Sequence, residues 1–350
     1  MTVPLLTALG TATPERDIHE TFARWAGRRL SLREARLFER MTERAGIGHR
    51  WSVLDRPPLE PGGFYAGDPP PTSARMALYA AHAPALAESA VRDLGDAFDP
   101  AAVTHLVVAS CTGFVAPGLD QLLAARLGLG DRVERLLVGF MGCYAAVVAL
   151  RQAATIVRAE PKAHVLVVTC ELSTLHLQET DALDGLLAML HFGDGAAAAI
   201  VRADDGSSGM RLGKGLSLAL PASGELIQWH VGDTGFAMVL SGEVPGRLRE
   251  ALSEPSVRDA LTDGRDPAAL LWAVHAGGRS VLDAVESAMD LPRDALAAGR
   301  DVLARFGNMS SSTLMFTLAA ILRAAQPGPG VALAFGPGLA AEGLRFEVTG

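Results

Sequence analysis

The sequence predicts a layered α/β protein built from two similar halves, and three observations carry that prediction. Apolar runs of strand length alternate with helix-length segments along the whole chain. Most of those runs are continuous instead of alternating, as in strands buried on both faces. A polar seam, DDGSSG at residues 204–209, divides the alternation into an N-terminal half, 1–205, and a C-terminal half, 206–350. No short repeat is visible, but the shared alternation points to an old duplication.

Taken in order, residues 5–10 form a first apolar strand. Residues 18–50 are polar and Arg-rich, with apolar positions at helical spacing. Residues 55–71 are dense in Pro and Gly and read as a loop. Thr72 or Ser73 is placed to cap a long helix over 74–94, which Pro84 is expected to kink or divide. A buried strand over 102–110 ends at CTGFVAPG, with a turn at Pro117-Gly118, and a helix follows over 119–127. Residues 136–140 make a short apolar strand. Residues 144–157 are Ala-rich without Gly or Pro, a helix apolar on nearly every side. A strand at 164–169, a helix at 181–190, the turn HFGDG and a strand at 196–201 complete the first half. The second half offers strands at 215–220, 235–240 and 270–274, and helices at 245–261, 280–289 and 295–305. A buried helix at 312–325 and a hairpin of 331–335 with 344–348 close it.

Composition narrows the function classes. The 350 residues are 49% hydrophobic and 20% charged, which suits a large globular core. A net charge of −8 without a basic run argues against nucleic acid as a partner. Arg151 and Gln152 interrupt the longest apolar run, so no membrane span is expected, and the N-terminus lacks the pattern of a signal peptide. Three cysteines, Cys111, Cys143 and Cys170, lack metal-ligand spacing and imply a reducing, cytoplasmic setting with no metal.

Cys143 lies between the 136–140 strand and the apolar helix, with Gly142 just before it. The unpaired N–H groups and dipole of a helix N-terminus favour thiolate over thiol, so a titration below the ordinary value of about 8.5 is expected. Packing as a small hydrophobe is the competing reading. His275 ends a strand and precedes Gly277 and Gly278, where open α/β sheets place their sites. Asn308 lies in FGNMSS directly before the last buried helix, where it also suits a turn, and Ser310 and Ser311 suit a cap. Together the three are the parts for thioester chemistry. A Cys carries the acyl group, and the His N–H and Asn NH₂ hold the negative charge on one carbonyl oxygen. No Asp or Glu has to serve as general base.

These stretches resemble one family. GFMGCYAA around Cys143, HFGDGAAAAIV around Phe192, VHAGG at His275, FGNMSS at Asn308 and FGPG at Phe335 fall in the order and near the spacing of type III polyketide synthases. That is the chalcone and stilbene synthase family on the thiolase fold, and the resemblance covers essentially the whole chain. It implies duplicated halves in an αβαβα arrangement and a homodimer, with no cofactor beyond the CoA thioesters that are its substrates. By that resemblance Cys143 takes the starter from acyl-CoA. His275 and Asn308 bind the malonyl-CoA thioester and stabilise the enolate left by loss of CO₂, and His275 pairs with the Cys143 thiolate. Phe192 stands at the gatekeeper position, and Pro337 of FGPG at the cavity. Arg40 and Arg44, one helical turn apart, fall near CoA-binding cations, while Gly277, Gly278 and Ser280 border the pantetheine arm. A solvated helix face is the alternative for each Arg.

Departures from the plant enzymes concern the cavity. Cys111 replaces a threonine, His176 falls near another, Met238 stands for a second gatekeeper Phe, and Trp229 falls near a small residue. Ala116 replaces a methionine that crosses into the partner, and Ala276 the proline of HPGG. Met238 and Ala116 make room. RAGIGHR and TGFAMVLS look like bacterial members that take fatty acyl starters. The resemblance thus implies an alkylpyrone or alkylresorcinol product. The alternatives are a carrier-protein-dependent ketosynthase III and a silent thiolase-fold protein that binds acyl-CoA.

Overall fold

A computed structural model describes residues 2–54 and 59–350 of the chain. In order it forms β1 (Pro4–Ala12), β2 (Arg16–Asp17), α1 (His19–Gly27), α2 (Leu32–Ala45), β3 (Trp51–Ser52), α3 (Thr72–Arg92), β4 (His105–Ser110) and α4 (Leu119–Leu127). Next come β5 (Glu134–Gly139), α5 (Ala145–Ala159), β6 (Val165–Leu172), α6 (Leu183–Met189) and β7 (Asp194–Ala203). The second half holds β8 (Gly209–Ala219), β9 (Ile227–Gly232), β10 (Gly235–Leu240), α7 (Val244–Ser253), α8 (Pro255–Thr262) and β11 (Leu271–Val274). It ends with α9 (Arg279–Ala288), α10 (Ala297–Phe306), α11 (Ser311–Ala324), β12 (Gly328–Gly336) and β13 (Ala340–Thr349). Part of the Pro/Gly-rich loop, residues 55–58, lies outside the described residues.

Nine strands form one mixed sheet in the order β11-β12-β13-β8-β1-β7-β6-β4-β5. Its two ends repeat a pattern. In the first half β1 and β6 flank β7 antiparallel, and β6 runs parallel to β4. In the second, β8 and β12 flank β13 antiparallel, and β12 runs parallel to β11. By this correspondence α5, which leads into β6, matches α11, which leads into β12.

Side chains that alternate along the strands build the layers. Val107, Val165, Val167, Ala197 and Ala199 of the first half, with Ala273, Ala332 and Ala334 of the second, share one core with α5 and α11. Leu106, Val108, Leu166, Val168 and Ala198 face the opposite way, into a core with α3 and α4. Trp272, Val274, Leu333 and Phe335 enter a third core with α7, α9 and α10. The result is helix, sheet, helix, sheet, helix, with the two halves of the one sheet as the two sheet layers about α5 and α11. The face toward the central helices is rich in Ala, which lets helix and strand backbones approach closely.

Three local expectations are corrected. Helix α3 runs unbroken through Pro84, which is buried, so Pro84 does not divide it. Thr72 does not cap α3: Pro71 holds the N-cap position, and the Thr72 hydroxyl accepts from Gly235 N at 2.7 Å and donates to Gly232 O. The β9–β10 turn is the better customer for that hydroxyl. The expected 136–140 strand forms as β5, but its continuous apolar run is not buried on both faces: β5 lies at the sheet edge with Leu136 and Leu137 exposed to 42% and 44%.

Candidate active site

Cys143 sits in a single tight turn, Gly142–Tyr144, that leads into α5, and it is only 8% exposed. Gly142 is required there twice over. Its φ is +71°, and a Cβ would stand 2.5 Å from Pro337 Cδ. Pro337 therefore backs the turn that carries the cysteine, a more specific place than the cavity wall expected of it.

Asn308 occupies the corresponding place before α11. Its backbone N–H donates to His191 O at 2.8 Å and its carbonyl accepts from Gly193 N at 3.0 Å, so it is paired with the loop around Phe192. The side-chain Oδ1 accepts from Ser310 N at 2.8 Å and from the Thr313 hydroxyl at 3.4 Å. With its oxygen so occupied, the NH₂ is turned outward: it donates to Gly277 O at 3.2 Å and also faces the Cys143 sulfur. Gly277 lies against the His275 ring, so Asn308 links the cysteine to the histidine. His275 follows β11, anchored by its N–H to Leu333 O at 2.8 Å. The ring is 1% exposed, and neither ring nitrogen has a partner among the described residues. An imidazole so buried and unsatisfied is costly unless a ligand supplies the partner.

The electrostatics reverse one expectation. Burial pushes the Cys143 thiol up to about 11, although the Ser310 hydroxyl, the Asn308 amide and the residue's own N–H all favour the thiolate. Burial also pushes His275 down to about 3. The groups that act most strongly on Cys143 include the carboxyl of Glu171 and no cation. Desolvation thus opposes the charged form of both groups and works against the helix terminus at Cys143.

The cavity residues also converge. Phe192 is 9% exposed and bridges to Asn308. Cys111 Sγ lies 3.3 Å from the Ser310 hydroxyl and 3.5 Å from Glu171 Oε2. His176 stacks on Phe236 at 4.2 Å, donates from Nε2 to Thr112 O at 2.7 Å and accepts at Nδ1 from Phe236 N at 3.0 Å. Trp229 meets both rings edge-on and donates to Cys111 O at 3.2 Å. Met238 pairs with Trp229 across β9–β10.

Glu171 and Phe236 were not foreseen. The Glu171 carboxylate is fully buried and accepts from Cys111 N at 3.0 Å, Thr112 Oγ1 at 2.8 Å and Ser311 Oγ at 2.5 Å. A lone Glu inside the apolar run VLVVTCEL was the available signal. Ser310 holds the N-cap position of α11 but makes no side-chain capping bond; its hydroxyl faces Cys111, and that of Ser311 faces Glu171.

Arg40 and Arg44 are exposed on α2, which a Ser31–Glu34 capping box starts. The Arg279 guanidinium donates to Arg44 O at 3.4 Å, so the end of α2 meets the start of α9, where Gly277, Gly278 and Ser280 lie. A groove between α2, α9 and α10 adds Arg279, Arg293 and Arg300, of which Arg300 is paired with Asp283 and Glu286 and Arg279 with Asp283 at 3.8 Å.

Comparison with known proteins places this arrangement. The chalcone and stilbene synthase N-terminal domain matches residues 3–205, and the C-terminal domain of the same family matches residues 214–349. The alpha-pyrone synthesis polyketide synthase-like Pks18 of Mycobacterium tuberculosis is 32% identical over 363 residues, which cover 99% of this chain and 92% of that protein. The protein of that name in Mycobacterium bovis matches to the same extent. Among solved structures, the C-terminal type III polyketide synthase domain of Steely1 from Dictyostelium superposes with a TM-score of 0.91 at 24% identity, covering 99% of each chain. PKS-I of the brown alga Ectocarpus siliculosus gives 0.86 at 26% identity, covering 100% of this chain and 99% of that one.

Proposed function

Since the chain belongs to the chalcone and stilbene synthase family, and so to the type III polyketide synthases with their thiolase fold and acyltransferase chemistry, we propose a reaction for this site: decarboxylative condensation of malonyl-CoA onto an acyl group held on Cys143. The observation that carries it is the Asn308 side chain. Its oxygen is tied down, and its NH₂ spans from the Cys143 sulfur to the loop beside the unpartnered His275 ring.

Cys143 attacks the starter thioester carbonyl. The tetrahedral oxyanion collapses with loss of CoA thiolate, leaving an acyl-cysteine. The thiol proton leaves as the sulfur attacks, with the neutral His275 imidazole as its acceptor. The proton then passes to the departing CoA sulfur, so His275 is neutral again when malonyl-CoA arrives. An N–H of His275 and the Asn308 NH₂ then hold the malonyl thioester oxygen. The bond to the carboxylate breaks, CO₂ leaves, and its electron pair becomes an enolate stabilised by those two donors. The enolate carbon attacks the acyl-cysteine carbonyl and expels Cys143 as a thiolate, which takes a proton from water to return to the thiol, and the lengthened chain departs on CoA. Arg40 and Arg44, beside the start of α9, attract the CoA phosphates.

The starter is a medium or long acyl-CoA, and the product an alkylpyrone or alkylresorcinol. Support comes from Met238 in the place of an aromatic residue and from likeness to a protein named for alpha-pyrone synthesis. The active unit is a homodimer in the cytoplasm. β5 leaves a free sheet edge, and Leu136, Leu137, Phe140 and Phe114 form an exposed apolar strip beside it that a second copy covers. Cys111, Cys143 and Cys170 are all free thiols, which suits a reducing compartment. Among the described residues no helix is long and apolar enough to cross a membrane.

The deciding experiment is mass spectrometry of purified enzyme with malonyl-CoA and a graded acyl-CoA series. A mass increment at Cys143 equal to the starter acyl group, and pyrone or resorcinol products that Cys143→Ala abolishes, are expected. Products formed by Cys143→Ala, or condensation only with malonyl-carrier protein, would overturn the proposal.

A further inference from the structure

Arg50 is buried with no carboxylate in direct ion-pair contact, although Asp17 and Asp194 act on it through space. It precedes β3, is 0% exposed, and its guanidinium lies 4.6 Å over the Phe22 ring. Nη1 donates to Met189 O and to Phe192 O, both at 2.9 Å, and Nε donates to His19 Nδ1 at 3.1 Å. Nη2 has no acceptor among the described residues. Burying a guanidinium on neutral acceptors is expensive, and an apolar side chain would fill the same space more cheaply. Residues that break a stability rule in this way mark places where geometry matters more than stability.

The geometry that Arg50 fixes is next to the chemistry. Phe192 O, which it holds, belongs to the loop that pairs with Asn308. His191 O and Gly193 N, the neighbours of Phe192 on either side, take both backbone groups of Asn308. The Arg50 stem also covers Gly307, where a Cβ would stand 2.8 Å from both Arg50 Cγ and His191 O, and whose φ of +69° suits glycine. On the far side of the same segment, Asp194 accepts from Val53 N at 2.9 Å and Thr174 N at 2.8 Å. The residues around Arg50 and the Phe192 loop are thus stapled together from both sides, and Asn308 is attached to that staple.

We propose that Arg50 is a positioning residue for the condensation, aiming the Asn308 amide at the malonyl thioester by gripping the Phe192 loop. This rests on the roles given above to Cys143 and Asn308. Cys143 is held by other contacts, Gly142 on Pro337, so the two partial reactions separate. Starter transfer to Cys143 runs on the Cys143 sulfur and the His275 ring, so it depends far less on the Arg50 grip. Decarboxylation of malonyl-CoA depends on it, because the enolate forms against Asn308.

The test compares wild type, Arg50→Lys and Arg50→Met in three measurements. These are single-turnover acylation of Cys143 by intact mass, release of acetyl-CoA from malonyl-CoA without starter, and Tm. In the second, the enolate takes a proton from water after CO₂ leaves. A misplacement of about 1 Å costs up to about a hundredfold, so decarboxylation should fall roughly tenfold to a hundredfold in Arg50→Met and less in Arg50→Lys. Acylation should stay within about twofold of wild type in both. Unchanged decarboxylation, or both rates falling by the same factor, would overturn the inference. If Arg50→Met does not fold, Arg50→Lys keeps a cationic donor on the same stem, and the ratio of its two rates decides. Wild type that takes no adduct at Cys143 sinks the parent reading before any variant is compared.

Discussion

Cys143, His275 and Asn308 could be singled out at the residue level because each is a polar or nucleophilic side chain where a strand or loop turns into a helix, with glycine close by. The burial that opposes charge on Cys143 and His275 could not be foreseen, because the helix terminus is visible in a sequence and the desolvation of the pocket is not. Burial holds the Cys143 thiol at about 11, above its ordinary range, so the thiolate appears only as pH rises. Iodoacetamide inactivation is therefore expected to accelerate with pH, with a midpoint above the ordinary thiol value of about 8.5. A midpoint below that would show that His275 takes the proton in the free enzyme and that the two titrate as a unit. Arg50 and Glu171 were missed for a common reason. A buried charge is recognised by the partners folding brings to it, and those of Arg50 and Glu171 lie mostly in distant segments.

Among elements, the long apolar strands and the two central helices could be read directly, since burial on both faces leaves continuous apolar runs. Their sidedness could not: most positions of these strands are apolar, and only packing shows that the small residues face α5 and α11. Ala199 of β7 is fully buried on that face. Ala199→Leu should cost about 1–3 kcal/mol through overpacking, read as a lowered Tm with the fold retained. The β9–β10 hairpin was only half foreseen, because IQWHVG is too polar to read as a strand. Yet it carries Trp229, which packs on His176 and Phe236 and pins Cys111 O. Trp229→Gly should open that corner and move the preferred acyl-CoA to longer chains, measured by product masses across a starter series. An unchanged preference would remove Trp229 from the specificity wall.

For the whole molecule, the division into two halves was visible as a polar seam and a resumed alternation. The merging of both halves into one sheet was not, since it depends on β1 meeting β8 across Leu5–Arg211 and Leu6–Met210. Nor was the exposure of β5, because an edge is a property of strand order and not of the strand's own residues. If a second copy covers that edge, Leu137→Arg places a charge in a dry interface. Light scattering should then find monomers where wild type gives dimers; a persistent dimer would locate the interface elsewhere. The contact of Gly142 with Pro337 carries the same dependence of part on whole into the life of the chain in the cell. While the polypeptide is being made, the cysteine loop emerges long before the proline that supports it. Until Pro337 has folded behind it, the Gly142 turn that carries the thiol lacks this support.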